Sequence, residues 1–310
     1  QWCPMGAVMM DFIAENYPTT AVPIAVHNDD PMQVTIYDTG FADFIGGYPS
    51  GAVDRINQDV YPLDFEKELI DRLSTPAPVS VQHNVAYDAA TRLITVESQL
   101  HFQEAMNGNF RIAMVITEDN VTGVTSGWRQ TNAFSGGDSG PMGGYENLPF
   151  TVPASQMVYN HVARAITGTF SGTAGSVPAN NPAGSVHTFT HTYTHPISQT
   201  VNDMHAITML INTDNGEIIN AEQTAVPFTI TSANEPSLAG VSVEVYPNPV
   251  ADQATVSLKL AKQTDVRLRL TDVSGKVVYE ANLGNMSGEH NLPLRLQHLN
   301  TGTYMLSVNA

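Results

Sequence analysis

The chain has 310 residues, a formal net charge of −17, 14% charged residues and a single cysteine, a length that allows two or three domains with cores of their own. The acid excess argues against nucleic acid, whose phosphates need lysine and arginine to displace counterions, and against adhesion to anionic lipid. One cysteine excludes a disulfide scaffold and a cysteine-rich zinc module, and the longest apolar runs, such as Ile112–Ile116, fall far short of a membrane-spanning helix.

Residues 1–75 carry 12 acids against 3 bases, residues 76–230 carry 11 against 4, and residues 231–310 carry 7 against 6. The shift at the third block coincides with a stretch rich in small residues and turn formers, 231–240, which reads as a linker. In the first block Met5, Val8, Met9, Phe12 and Ile13 recur at helical spacing until Pro18 stops the pattern. Ala21–His27 reads as a short buried strand, and Leu63, Leu69, Ile70 and Leu73 mark an amphipathic helix over Pro62–Leu73. The pattern is α/β, helices covering a small sheet.

From Pro76 to Ile230 the period is two. Ile94, Val96, Leu100 and Phe102 share one face, Arg111–Thr117 is almost continuously apolar like a central strand, and Asp88–Thr91 and Asp214–Gly216 are hairpin connections. Strands with no helix between them predict a β-sandwich, with long Gly-, Ser- and Pro-rich loops at 135–149 and 171–184 as its expected contact surfaces. The tail, Val241–Ala310, again reads as all-β, with strands at Thr255–Leu260, Asp265–Asp272, Lys276–Glu280 and Thr303–Val308.

Trp2-Cys3-Pro4 at a helix start has the form of the second half of a Cys-x-x-Cys-Pro redox motif, in which the helix N-terminus favours thiolate. The first cysteine would stand immediately before Gln1, and a thioredoxin-like sheet needs a strand ahead of it, so the natural chain is expected to begin earlier. Pro49, in Gly46–Val53, falls where such a fold carries a cis-proline opposite its cysteines. With one cysteine thiol, residues 1–310 alone cannot run a dithiol–disulfide cycle.

His187, His191 and His195 lie four apart. On a strand they share a face, but at about 3.3 Å per residue neighbours are about 13 Å apart, too far to share one zinc with bonds of about 2.0–2.1 Å; the expectation is a polar strand face with Phe189 and Tyr193. His161 reads as a core or interface hydrogen-bonding residue. Gly137–Pro141 has the look of a serine protease nucleophile loop without the partners that chemistry needs. Asn28–Asp30 and Glu118–Asn120 lack the alternating spacing of a calcium loop and read as turns. No metal or cofactor is expected.

Trp2-Cys3-Pro4, Val22–His27, Gly47–Arg55 and Tyr159–Arg164 together resemble the outer-membrane-protein-28-related family of Bacteroidetes over residues 1–230. The resemblance implies a thioredoxin-like domain, here N-terminally truncated (1–75), fused to a β-sandwich (76–230) and exported to the cell surface. Tyr246-Pro247-Asn248-Pro249, Asp272–Val278 with Gly275, and Leu299–Tyr304 with Gly302 and Tyr304 resemble a type A sorting domain of the type IX secretion system, an immunoglobulin-like sandwich at 241–310 whose last strand is expected beyond Ala310. The resemblances imply an α+β multi-domain protein at the cell surface, associated with the outer membrane or secreted. Its implied partners are the type IX translocon or other outer-membrane and surface proteins. The leading expectation is a binding or assembly role without catalysis. The alternative is an exported thiol–disulfide oxidoreductase, with Cys3 as resolving thiol and Pro49 shaping the groove. A carbohydrate-binding or adhesive role of the sandwich loops is a third reading, resting on their length alone.

Overall fold

The computed structural model describes residues 1–227, 241–246, 250, 253–272, 276–297, 299, 302 and 304–309. The chain forms two compact units, Gln1–Thr229 and Ile230–Ala310. It is mostly β-sheet with few helices. The linker expected at 231–240 lies outside the described residues.

The first unit begins with α1 (Cys3–Asn16), which runs to the stop expected before Pro18. Next come α2 (Thr35–Phe41), the hairpin β1 (Gly51–Val53) and β2 (Asn57–Val60), and α3 (Phe65–Leu73). The strand expected at Ala21–His27 is absent as such. The segment makes a single parallel bridge, Ala25 to Val162, because Pro23 has no N–H to give a ladder. Instead of a sheet of their own, residues Val22, Ile24, Val26, Val34 and Tyr37 cover the outer face of a sheet from the sandwich. The helix expected over Pro62–Leu73 is a 3-10 turn at Pro62–Asp64 followed by α3, and its apolar side is left largely open: Leu63, Ile70 and Leu73 are about half exposed. Arg72 tethers α3, reaching Asp54 and Glu217 at 2.7 Å each.

The sandwich is built from β3 (Val79–Asp88), β4 (Leu93–Phe102), β5 (Phe110–Glu118), β6 (Val162–Thr167), β7 (Val186–Thr194), β8 (Met204–Asn212) and β9 (Ile218–Ala225). They form a three-stranded sheet in the order β7-β4-β3 and a four-stranded sheet in the order β9-β8-β5-β6, all antiparallel. Both expected hairpins are present. Asp214–Gly216 joins β8 to β9 with Gly216 at φ +84°, the left-handed conformation glycine adopts without penalty.

The near-continuous apolar run of β5 has a direct cause. Ile112, Met114 and Ile116 face the inter-sheet core, while Ala113 and Val115 face the N-terminal segment on the other side. With both faces covered, alternation disappears. The inter-sheet core itself is two apolar clusters. Between them runs a polar layer: Thr208 Oγ1 lies 2.8 Å from Ser98 Oγ and 2.9 Å from His83 Nδ1, and His83 Nε2 lies 2.8 Å from Thr224 Oγ1.

The second unit comprises β10 (Val241–Tyr246), β11 (Gln253–Asp272), β12 (Val277–Arg295) and β13 (Tyr304–Asn309). Where sequence reading expects two strands at Thr255–Leu260 and Asp265–Asp272, there is one long strand whose register slips between Leu260 and Thr264. Such a bulge lets a strand bend without leaving its sheet. All four strands therefore belong to one antiparallel sheet, and its halves share a core around Val256, Leu258, Leu260, Val266 and Leu294.

Candidate functional site

Cys3 is the first residue of α1 and is half-buried. Three elements hold it. The carbonyl of Gln1 accepts from Ala133 N–H at 2.9 Å. Trp2 meets Phe134 edge to face at 5.3 Å. Met5, 2% exposed, packs with Phe134 and Met142. The 135–149 loop, expected to be a free contact surface, thus has one side committed to seating α1. No acidic side chain stands in the first turn of α1, so the positive end of the helix dipole is not neutralised there.

Pro49 is brought to the same place. A Cβ on Gly6 would stand 3.2 Å from Pro49 Cβ, so the proline packs directly on the first turn of α1; the Tyr48–Pro49 peptide is cis. The surrounding loop is fixed by Asp59, whose Oδ1 accepts from Gly46 N–H at 2.7 Å and Ser50 Oγ at 2.8 Å. Those two bonds hold its carboxyl below the usual range. Tyr159 completes the wall. Its hydroxyl donates to Trp128 O at 2.9 Å, and its titration is pushed up by burial first, then by Asp30, Tyr145 and Cys3. Tyr48 remains half exposed, its phenol raised by burial and then by Asp38. The result is a partly exposed thiol at a helix N-terminus, with a proline and aromatic rings around it.

Sequence spacing gives no hint of a second cluster. A cleft of about 310 Å³ is lined by Asp11, Ala14, Glu15, Asp119, Asn120, Asn160 and His161. His161, at φ +57°, places Nε2 3.3 Å from Asp11 and Nδ1 3.5 Å from Asp119, which lies 3.6 Å from His205. Its backbone N–H donates to Asp119 Oδ1 at 2.6 Å. The hydrogen bond to His161 is the largest influence holding the Asp11 carboxyl below its ordinary value. These residues come from positions 11, 119, 161 and 205, so only the tertiary fold assembles them.

The face of His187, His191 and His195 is not the polar surface expected from sequence. It turns inward: His191 and His195 are buried, Phe189 and Tyr193 pack against the two core clusters, His191 Nε2 lies 2.8 Å from Thr173 Oγ1, and His195 Nε2 lies 2.9 Å from Tyr87 OH. Desolvation pushes the His191 imidazole down, as burial disfavours its charged form. Among the described residues no group of three His, Cys, Asp or Glu side chains is arranged to hold a metal. The 171–184 loop is likewise part of the packing: Ser176 Oγ accepts from Ile112 N–H at 2.8 Å, and Val177 enters the core.

Of the sorting-motif residues, Tyr246 ends β10 opposite Thr255, half exposed, and Tyr304 opens β13 opposite Asp272, with Gly302 exposed just before it. Pro247, Asn248, Pro249 and Gly275 lie outside the described residues.

These features define a multi-sheet β protein with a separate C-terminal β unit. The profile of the outer membrane protein Omp28 family matches residues 43–229, more than half of the chain, and that of the secretion system C-terminal sorting domain matches residues 244–310. The chain belongs to the Omp28 family and carries a type IX sorting domain, so its place is the outer membrane, the cell surface or the extracellular space. No curated protein matches it. Among solved structures, red sea bream transglutaminase aligns with 81% of this chain and 32% of its own at 11% identity and a TM-score of 0.26. The B domain of a biofilm associated protein aligns with 75% of this chain and 71% of its own at 10% identity and a TM-score of 0.20. The chain thus spans about a third of the transglutaminase, and neither likeness bears on fold or function. No helix among the described residues is long and apolar enough to cross a membrane.

Proposed function

We propose that the protein acts at the cell surface by binding and assembly, after delivery through the type IX machinery, and that residues 1–310 do no catalysis of their own. The observation that carries this reading is the sorting-domain match at 244–310, since such a tail is addressed to the secretion machinery. The exposed parts of the 135–149 and 171–184 loops are the contact surfaces this reading favours. Affinity capture of the tagged full chain from gently solubilised outer membrane, with cross-linking, is the test. A stoichiometric outer-membrane or surface partner is expected, and repeated capture of the chain alone overturns the reading.

A second reading is favoured by the packing of Pro49 on Gly6, in the first turn of the helix that Cys3 opens. On this reading the α1, α2 and β1–β2 segment is thioredoxin-like, and Cys3 is the resolving thiol of a disulfide oxidoreductase. The reaction needs a second cysteine, which residues 1–310 do not contain. Thiols of the protein isolated from its natural source are counted by alkylation before and after reduction. Two that appear only on reduction, with disulfide exchange lost in Cys3→Ser, support the redox reading; one thiol free in both states removes it.

A further inference from the structure

Strand β7 is an open edge. It pairs with β4 from Val186↔His101 to Thr194↔Leu93, and among the described residues no strand pairs with its other side. Among the described residues, no backbone hydrogen bond from 186–194 goes anywhere except into that ladder. Natural edges are guarded by charge, proline, a bulge or a covering segment. The edges differ in charge and cover: β3 lies against β9 and β7 more thinly against β6, but β3 and β9 carry Asp88 and Glu222, and β6 carries Arg164 and is bridged by Ala25. The nine residues of β7 contain no acid, base other than histidine, proline or register shift.

Its sequence is also self-complementary. Turned end for end about Thr190, Val186-His-Thr-Phe-Thr-His-Thr-Tyr-Thr194 sets Thr188 opposite Thr192 and Thr190 opposite itself on the exposed face. On the inward face it sets Phe189 opposite His191 and His187 opposite Tyr193. Threonine pairs and aromatic pairs are favourable cross-strand neighbours, and a two-fold interface requires this kind of self-match. Charge selects the occupant: in a chain of net charge −17, two copies meet with least repulsion at an uncharged edge.

We propose that β7 pairs antiparallel with β7 of a second copy, centred on Thr190, so that the two three-stranded sheets become one continuous sheet. The pairing does not depend on the export reading. The test is sedimentation of the full chain between about 1 and 100 μM, a range that reports modest interfaces. Wild type is expected to reach twice the mass of one chain. Thr188→Lys with Thr192→Lys puts like charges opposite each other at both ends and is expected to give monomer. Thr188→Lys with Thr192→Glu makes the same two pairs complementary and is expected to keep the dimer. Thr188 and Thr192 are both exposed in a single copy, so thermal midpoints at monomeric concentration should agree. A wild type that stays monomeric, or a Lys–Lys variant that remains dimeric, overturns the proposal; loss of the dimer in both variants overturns the pairing centred on Thr190.

Discussion

Arg164→Met tests how the end of the sandwich is held together. Glu118 ends β5 at 4% exposure. Its Oε1 accepts from Thr200 N–H at 2.6 Å, and its Oε2 faces Arg164 Nε at 3.0 Å as an ion pair without hydrogen-bond alignment. Burial pushes the Glu118 carboxyl up, opposed by the Thr200 amide and the Arg164 charge. Removing the guanidinium strands a buried carboxylate, a change that costs about 3–5 kcal/mol. For a unit of this size that is a fall in midpoint of roughly 6–20 °C. The pH dependence has a definite sign. A carboxyl raised on folding costs nothing below its unfolded value of about 4.3, and the cost grows as pH rises through the folded value. The deficit of Arg164→Met should therefore be larger at about pH 7.5 than near pH 5. Urea unfolding of the full chain followed by circular dichroism reads it, and adding Glu118→Gln should recover most of the loss. A loss below about 1 kcal/mol, or one independent of pH, refutes the argument; a double variant as unstable as the single assigns the effect to the packed arginine stem.

Gly40→Ala should loosen α2, because its Cβ would stand 2.2 Å from Phe170 Cγ; overpacking of this kind costs about 1–3 kcal/mol, read as a lower urea midpoint. The His83 imidazole is pushed down by burial, so it is neutral on both sides of the folding transition above its unfolded pKa and costs stability as pH falls below about 6.5. His83→Leu should flatten that slope in urea titrations at pH 5–7.5, the interval in which histidine changes charge. Asp11→Asn removes a carboxyl lowered mainly by His161, a contribution present above the unfolded Asp value and lost as pH falls through the folded one. Half-exposed pairs of this kind contribute about 0.2–1 kcal/mol, and a larger effect on hydrogen exchange in α1 would contradict that placement.

The sandwich was legible because its faces differ. Ile94, Val96, Leu100 and Phe102 alternate with polar neighbours, and all four are at most 1% exposed. The run at Arg111–Thr117 also announced a central strand, and its two covered faces explain why alternation vanishes there. The histidines of β7 misled because alternation says which residues share a face and nothing about which way that face turns; Phe189 and Tyr193 decide it by entering the core. Ala21–His27 misled for a similar reason. The apolar run is real, and Val22, Ile24 and Val26 are packed, but the surface they cover belongs to β5, β6, β8 and β9, which no local pattern identifies. Pro49 beside α1 could be anticipated from order along the chain. The Asp11–His161–Asp119–His205 line could not: His161 reads as a core or interface hydrogen-bonding residue and Asp119 as part of a turn, and nothing local joins either to Asp11 or His205.

The neighbourhood of Cys3 and the sandwich are mechanically one object. Met5 seats between Phe134 and Met142, Asp11 leans on His161 at the start of β6, and Arg55 is buried over the Phe170 ring at 3.7 Å while donating to Phe170 O at 2.8 Å. A buried guanidinium with a carbonyl and a ring for company is costly to uncover and so resists local separation. Alkylation rates at Cys3 consequently report how tightly the 135–149 loop seats α1 as well as the thiol's own chemistry. Comparing Cys3 labelling in wild type with labelling in Met142→Ala separates the two. The truncation cannot touch the sulfur's bonding, so faster labelling at unchanged pH dependence measures opening of the seat, whereas a changed pH dependence shows that the loop sets the thiol's charge.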